Sequence, residues 1–247
     1  LSHRLYVSRG DRIEVVDTEA GNIVGTVANT AGVHGAAIAH DLGRGYTSNG
    51  RSNSVTVFEL SSLKTIQEVA IPGDKPDAIL YDPATKRVFV FNGKSHDAAV
   101  VDAVTLKVLG QIAMPDTPEF AVTDATGHVY VNIEAEQGAL VRVDARTLRI
   151  DATWKLNGCP EPTGLAIDTT HNRLYSACAN RKMAVTDART GRQITLVATG
   201  AGTDAAEYDA SRHLAFSSNG EGTLTVIAAG EAKPEALATV TTQRGAR

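Results

Sequence analysis

Apolar residues in this chain fall in runs of five to seven that alternate with polar positions and stop at turn chemistry. In one stretch "DAILYD" and "RVFVFN" flank the turn "PATK", after which "AAVVDA" and "KVLGQIAM" flank "VTL". Short β-branched runs bounded by Pro, Gly, Asp and Asn predict strands, here four to a unit joined as a meander. No segment sustains the 3.6-residue spacing of an amphipathic helix.

The unit repeats. An acidic residue closes a β-branched run at Asp17, Glu59, Asp102, Asp144 and Asp187, at intervals of 42 or 43 residues. An aromatic recurs in step as Tyr6, Tyr46, Phe89, Tyr130, Tyr175 and Phe216, and a hairpin aspartate as Asp41, Asp82, Asp124, Asp168 and Asp209. Repeats of this length with four strands each predict the blades of an all-β β-propeller. About six repeats are visible, at 1–32, 33–75, 76–117, 118–161, 162–202 and 203–247, read as one domain over 1–247. The first supplies three strands and lacks an opening one, and "TTQRGAR" stops where a further first strand would begin.

The segments "RLYVSRGDRIEVVDTEAGNIVGTV", "DPATKRVFVFNG", "VVDAVTLKVLGQI", "TDARTGRQI" and "SNGEGTLTVI" resemble the YVTN-repeat propellers, the YncE-like proteins described as surface-layer-like or lactonase-like. The resemblance spans essentially the whole chain. It implies seven blades closed by strands from both termini, with the ends of this chain clipped or disordered; a six-bladed ring is the alternative. It further implies a periplasmic or secreted protein that acts as a rigid binding scaffold.

Composition narrows the function. A net charge of −4 and 5% aromatic residues provide neither the basic field nor the stacking platform that nucleic acid needs. No run approaches the roughly 18 apolar residues of a membrane helix. Cys159 and Cys178 lack the further Cys and His of a zinc site, and their placement across one hairpin makes them a candidate disulfide, which would mean an oxidising compartment.

The start of each first strand changes chemistry from repeat to repeat. Equivalent corners carry His34, Asp77, Glu119, Thr163 and Asp204, with Glu161 beside Thr163 and Arg247 where the next corner falls. In a propeller these corners rim one mouth of the central channel, where packing does not dictate the side chain. They form a candidate acidic mouth for a small polar ligand or a protein partner.

Second strands close at Asn49, Asn92, Asn132 and Asn219, where Asn-Gly pairs suit left-handed turns. Alternatively, Asn92, Asn132 and Asn219 join Asp77, Glu119, Glu161 and Asp204 as hard oxygen ligands for calcium, Asp77, Glu119, Asn132 and Asp204 being the core of such a set. Lactonase-like propellers use acid and amide ligands at a similar place. On that alternative the chain is a metal-dependent hydrolase in which His34, oriented by Asp77, handles a proton. The repeating hairpin aspartates read as turn caps.

Overall fold

The computed structural model describes residues 3–230 and 232–245, and their regular structure is strand apart from one 3-10 turn, His40–Leu42. Six consecutive antiparallel sheets form, the first of three strands and the others of four. This is the blade arrangement of an all-β β-propeller. The chain groups into two compact units, Leu1–Thr117 with the turn Ala145–Leu148, and Pro118–Asp144 with Arg149–Arg247.

The first unit holds three sheets. They are β1 (Arg4–Ser8), β2 (Ile13–Asp17) and β3 (Ile23–Val27); β4 (Val33–Ala39), β5 (Arg44–Asn49), β6 (Ser54–Glu59) and β7 (Thr65–Ala70); and β8 (Pro76–Asp82), β9 (Arg87–Asn92), β10 (Asp97–Asp102) and β11 (Val108–Ala113). The second unit holds β12 (Thr117–Thr123), β13 (His128–Glu134), β14 (Ala139–Asp144) and β15 (Arg149–Lys155); β16 (Leu165–Asp168), β17 (Arg173–Cys178), β18 (Lys182–Asp187) and β19 (Gln193–Ala198); and β20 (Thr203–Asp209), β21 (Leu214–Asn219), β22 (Thr223–Ala228) and β23 (Glu235–Thr241).

Middle strands are buried on both faces because a blade packs between blades. Val88, Phe89, Val90 and Phe91 on β9, and Ala98 to Val101 on β10, are fully buried. Such strands lose the alternation of a half-exposed strand and read as continuous apolar runs. The repeating aromatics Tyr6, Tyr46, Phe89, Tyr130, Tyr175 and Phe216 each occupy the third position of the equivalent strand. Tyr46 stacks on Tyr81 and Tyr175 on Tyr208, joining neighbouring blades within each unit.

Turn chemistry follows the carboxylates. The Asp17, Asp102 and Asp187 side chains accept the amides two and three residues on, and Asp124, Asp168 and Asp209 do the same at the other hairpin. Bonding to the charged form lowers a carboxyl's pKa. The Ala20 and Glu19 amides hold Asp17 low, the Thr105 amide does so for Asp102, and the Ser211 hydroxyl with Arg212 draws Asp209 to about 2. Asp41 departs from the set: its carboxylate takes the Tyr81 hydroxyl at 3.0 Å and the Lys86 ammonium of the next blade.

Neighbouring blades are also tied by an arginine that the repeat markers do not reveal. Arg4 donates to the Leu60 carbonyl at 2.8 Å, Arg44 to Ala103 and Val104 at 2.9 Å, Arg87 to Ala145 and Arg146, and Arg173 to Ala229, Gly230 and Ala232. The acceptors sit in the turn after a blade's third strand, at small or apolar residues such as Ala103, Ala145 and Ala229 that are fully buried. A charged donor is the strongest partner for a carbonyl removed from water.

Every outer strand carries one extra residue. Val24, Ile66, Leu109, Asp151, Ile194 and Leu237 each fall at a register shift opposite the third strand of their own blade. Five of these are aliphatic; Asp151 instead forms a two-point ion pair with Arg142, which lies over the Trp154 ring.

Two outcomes test this packing. A Cβ on Gly45 would lie inside the Phe58 ring, whereas Gly43 has open space and only a positive φ of 63° to lose. Gly45→Ala should therefore cost about 2–3 kcal/mol from overpacking and Gly43→Ala about 1 kcal/mol from backbone strain, as urea unfolding midpoints would show. The lowered aspartates predict acid sensitivity. A depressed carboxyl contributes stability above its unfolded pKa, near 4, and loses it as pH falls through the folded value. Stability should hold down to about pH 4 and decline towards pH 2, and Asp209→Asn should make that decline shallower.

Candidate functional site

Three of the corner residues, His34, Asp77 and Asp204, lie in β-bulges. On β4 and β5, Val33 pairs with Asn49 and Ala36 with Thr47, so His34 and Gly35 face Ser48 alone. On β8 and β9, Asp77 and Ala78 face Phe91, and on β20 and β21, Asp204 and Ala205 face Ser218. A bulge re-aims side chains that a regular ladder would direct into the sheet. Two residues before four of the five corners the backbone turns left-handed, at Gly32, Lys75, Glu161 and Gly202, with φ of 68°, 60°, 43° and 67°.

The corner backbone is clamped by the preceding blade. Ser8 Oγ donates to the His34 carbonyl at 2.7 Å, and Ser48 Oγ donates to the Asp77 carbonyl while accepting the Gly35 amide. Asn132 Nδ2 donates to Thr163 and Gly164 at 3.0 and 2.9 Å, and Thr163 Oγ1 with the Gly164 amide donates to Asp204, each at 2.7 Å. Ser8, Ser48 and Asn132 each stand two residues past the repeat aromatic, and a polar residue recurring at that one repeat position is the signal that would have revealed them. The corner carbonyls of His34, Asp77, Thr163 and Asp204 are thus held by donors other than their own side chains, and at Thr163 the side chain is itself the clamp on the next corner.

In the first unit His34 is exposed and its Nδ1 lies 3.3 Å from Asp77 Oδ1. In the second, Glu119, Phe120, Thr163, Gly164, Asp204 and Ala205 line a cleft of about 90 Å³. Phe120, at 50% exposure, adds an apolar side chain to a lining that also holds Glu119 and Asp204. Glu161 is exposed on the left-handed turn before Thr163, its amide bonded to the Ala135 carbonyl, and does not line the cleft. Arg247 lies outside the described residues.

The asparagines differ from the left-handed-turn reading. Asn49, Asn92, Asn132 and Asn219 are fully buried, and neither Asn49, Asn92 and Asn219 nor the glycines after them adopt a positive φ. Their amides reach across their own sheet or to the next blade: Asn49 to Ser54 and Thr56, Asn92 to Asp97 at 2.6 Å, and Asn219 to Thr223 and Thr225 at 3.0 Å. The Asn132 amide is occupied at both ends, its oxygen accepting Ser176 Oγ at 2.8 Å. Among the described residues no three His, Cys, Asp or Glu side chains gather in a way that could hold a metal ion.

Cys178 occupies the register that Asn49, Asn92 and Asn219 hold in their blades, and it is bonded to Cys159, with Cα atoms 4.9 Å apart. A covalent bond takes the place of the amide tie there, securing the connection that leads into Thr163.

No protein-family model matches the chain, and no curated protein matches it either. Among solved structures it is similar to a chain of the Kuenenia stuttgartiensis hydrazine synthase, with 14% identity over 88% of this chain and 89% of that one, at a TM-score of 0.64. It is also similar to a chain in the crystal structure of a mitotic checkpoint complex, with 13% identity over 98% of this chain and 75% of that one, at a TM-score of 0.85. At such identities the likeness is one of fold, and the fold is the β-propeller.

The Cys159–Cys178 bond closes a loop with a sequence separation of 19, for which chain-entropy reasoning gives a contribution of about 3 kcal/mol. The Cys159→Ser/Cys178→Ser double variant should unfold at lower denaturant by that amount. Thiol titration of the unfolded, unreduced protein should find no free cysteine.

Proposed function

We propose that this chain is a non-enzymatic binding propeller whose corner side chains engage a protein partner through a basic side chain. The observation that carries the reading is the clamp: the preceding blade fixes the carbonyls of His34, Asp77, Thr163 and Asp204, four of the five equivalent corners, while the residue type there changes from one to the next. A surface built this way keeps its geometry whatever residue is displayed. The cleft of about 90 Å³ between Glu119, Phe120 and Asp204 is far smaller than the pockets of about 300–1,000 Å³ that enclose small-molecule ligands. It suits one protruding group. Two carboxylates with an aromatic wall favour a lysine or arginine, whose stem lies on the ring and whose charge meets the acids.

Likeness to a chain solved within the mitotic checkpoint complex supports a scaffold role, and the resemblance to YVTN-repeat propellers supports a periplasmic or secreted location, as does the disulfide. The hydrolase alternative keeps one specific observation, the His34–Asp77 pair at 3.3 Å.

An oligolysine peptide is the direct probe. It should bind with an affinity that falls as salt rises, and Glu119→Gln/Asp204→Asn should weaken it by about tenfold or more. Binding of equal strength to the double variant would falsify the assignment of this cleft. Turnover of a lactone that His34→Asn abolishes would establish the hydrolase instead.

A further inference from the structure

The hairpins joining β16 to β17 and β20 to β21 carry a second group of side chains. Its counterpart in the first unit is a plain ionic tie, with Asp41 accepting the Tyr81 hydroxyl and the ammonium of Lys86, a turn residue at φ 56°. In the second unit Tyr208 holds the position of Tyr81 and His213, at φ 53°, that of the lysine, while the hairpin carboxylate of the preceding blade is Asp168, which ends its strand where Asp41 sits in a 3-10 turn. His171 enters as well, from the turn after Asp168, so that two imidazoles meet with ring centres 5.8 Å apart.

A carboxylate orients one ring and a phenol the other. Asp168 is fully buried and its Oδ2 lies 2.6 Å from His171 Nδ1, which donates to it. The Tyr208 oxygen lies 3.3 Å from His213 Nδ1, within reach to accept from that nitrogen. Among the described residues neither Nε2 has a protein hydrogen-bond partner, so both are open to a ligand.

A histidine held at Nδ1 by a carboxylate or another acceptor, with Nε2 free, is the arrangement that orients a metal ligand. A metal–nitrogen bond of about 2.0–2.1 Å places the ring centre about 3.2 Å from the ion, so two ligating rings stand up to about 6.4 Å apart. The observed 5.8 Å lies within that span. The pair is open to solvent, His213 being exposed and His171 partly so. No third His, Cys, Asp or Glu among the described residues completes a set, which leaves the other positions on an ion to water or to a donor from outside.

We propose that Nε2 of His171 and Nε2 of His213 form a surface site for a divalent ion of borderline softness, zinc or copper, with Asp168 and Tyr208 as the positioning residues. Imidazole donors favour such ions over calcium or magnesium, which prefer oxygen.

Calorimetric titration of the tag-free chain with zinc chloride tests the site. One ion per chain should bind at micromolar concentrations, and calcium should give no comparable heat. His171→Asn and His213→Asn should each weaken binding by at least about tenfold, while His96→Asn, on the exposed turn between β9 and β10, should leave it unchanged. His213→Asn is the decisive variant should His171→Asn fail to fold, since residue 213 is exposed and asparagine tolerates its left-handed backbone. Long-range proton–nitrogen NMR should find both rings protonated at Nδ1 before zinc and should show the Nε2 resonances shift on its addition; Tyr208→Phe should release the His213 tautomer. Unchanged zinc affinity in His213→Asn, or no saturable one-to-one binding at submillimolar zinc, would overturn the proposal.

Discussion

A carbonyl that ends a strand inside a stack of sheets has lost its water and has no ladder partner, and it must find a donor or cost the fold one to three kcal/mol or so. In this protein the preceding blade supplies that donor at two heights. Near the hairpin end an arginine at the head of the second strand, Arg4, Arg44, Arg87 or Arg173, reaches the turn of its neighbour. At the corner end a serine, asparagine or threonine does so. Apolar packing holds the blades face to face, but it has no direction. These bonds set the angle and register at which one blade meets the next, and so decide where the corner and hairpin side chains end up.

The two ends of a blade consequently divide their labour. At the corner end the backbone is gripped by the preceding blade, so the residue type can differ among His34, Asp77 and Asp204 at one structural position, while Thr163 is given over to holding the Asp204 carbonyl. At the hairpin end the side chains themselves do the gripping, through the aspartate caps and the Asp41–Lys86 bond. The His171–His213 pair stands apart because it occupies a gripping position with groups whose bonds to Asp168 and Tyr208 leave a nitrogen unused.

Much of this frame is legible from spacing. The 42- or 43-residue period, the six aromatics and the hairpin aspartates are local, repeated features with one physical cause each, and they locate the strands and caps. The corner positions follow by counting from the aromatic. What counting misses is anything that depends on a second blade. Ser8 and Ser48 look like surface residues in isolation and are clamps in context. Asn49-Gly50 has the dipeptide signature of a left-handed turn, yet burial beside Ser54 and Thr56 makes its amide a cross-strand bond and keeps it extended. Asp41 matches the other hairpin aspartates in sequence, but Lys86 and Tyr81 of the next blade claim it first.

The extra residue on each outer strand bears on how copies of this chain behave towards one another. Val24, Ile66, Leu109, Ile194 and Leu237 are aliphatic, and a flat aliphatic strand at the margin of a sheet is a template on which another chain can extend the ladder. An inserted residue breaks the even spacing of amide and carbonyl, so an incoming strand finds a match on one side of the insertion and a misfit on the other. A crowded compartment thus meets margins too short to copy, and the chain can keep apolar outer strands without inviting fibre growth.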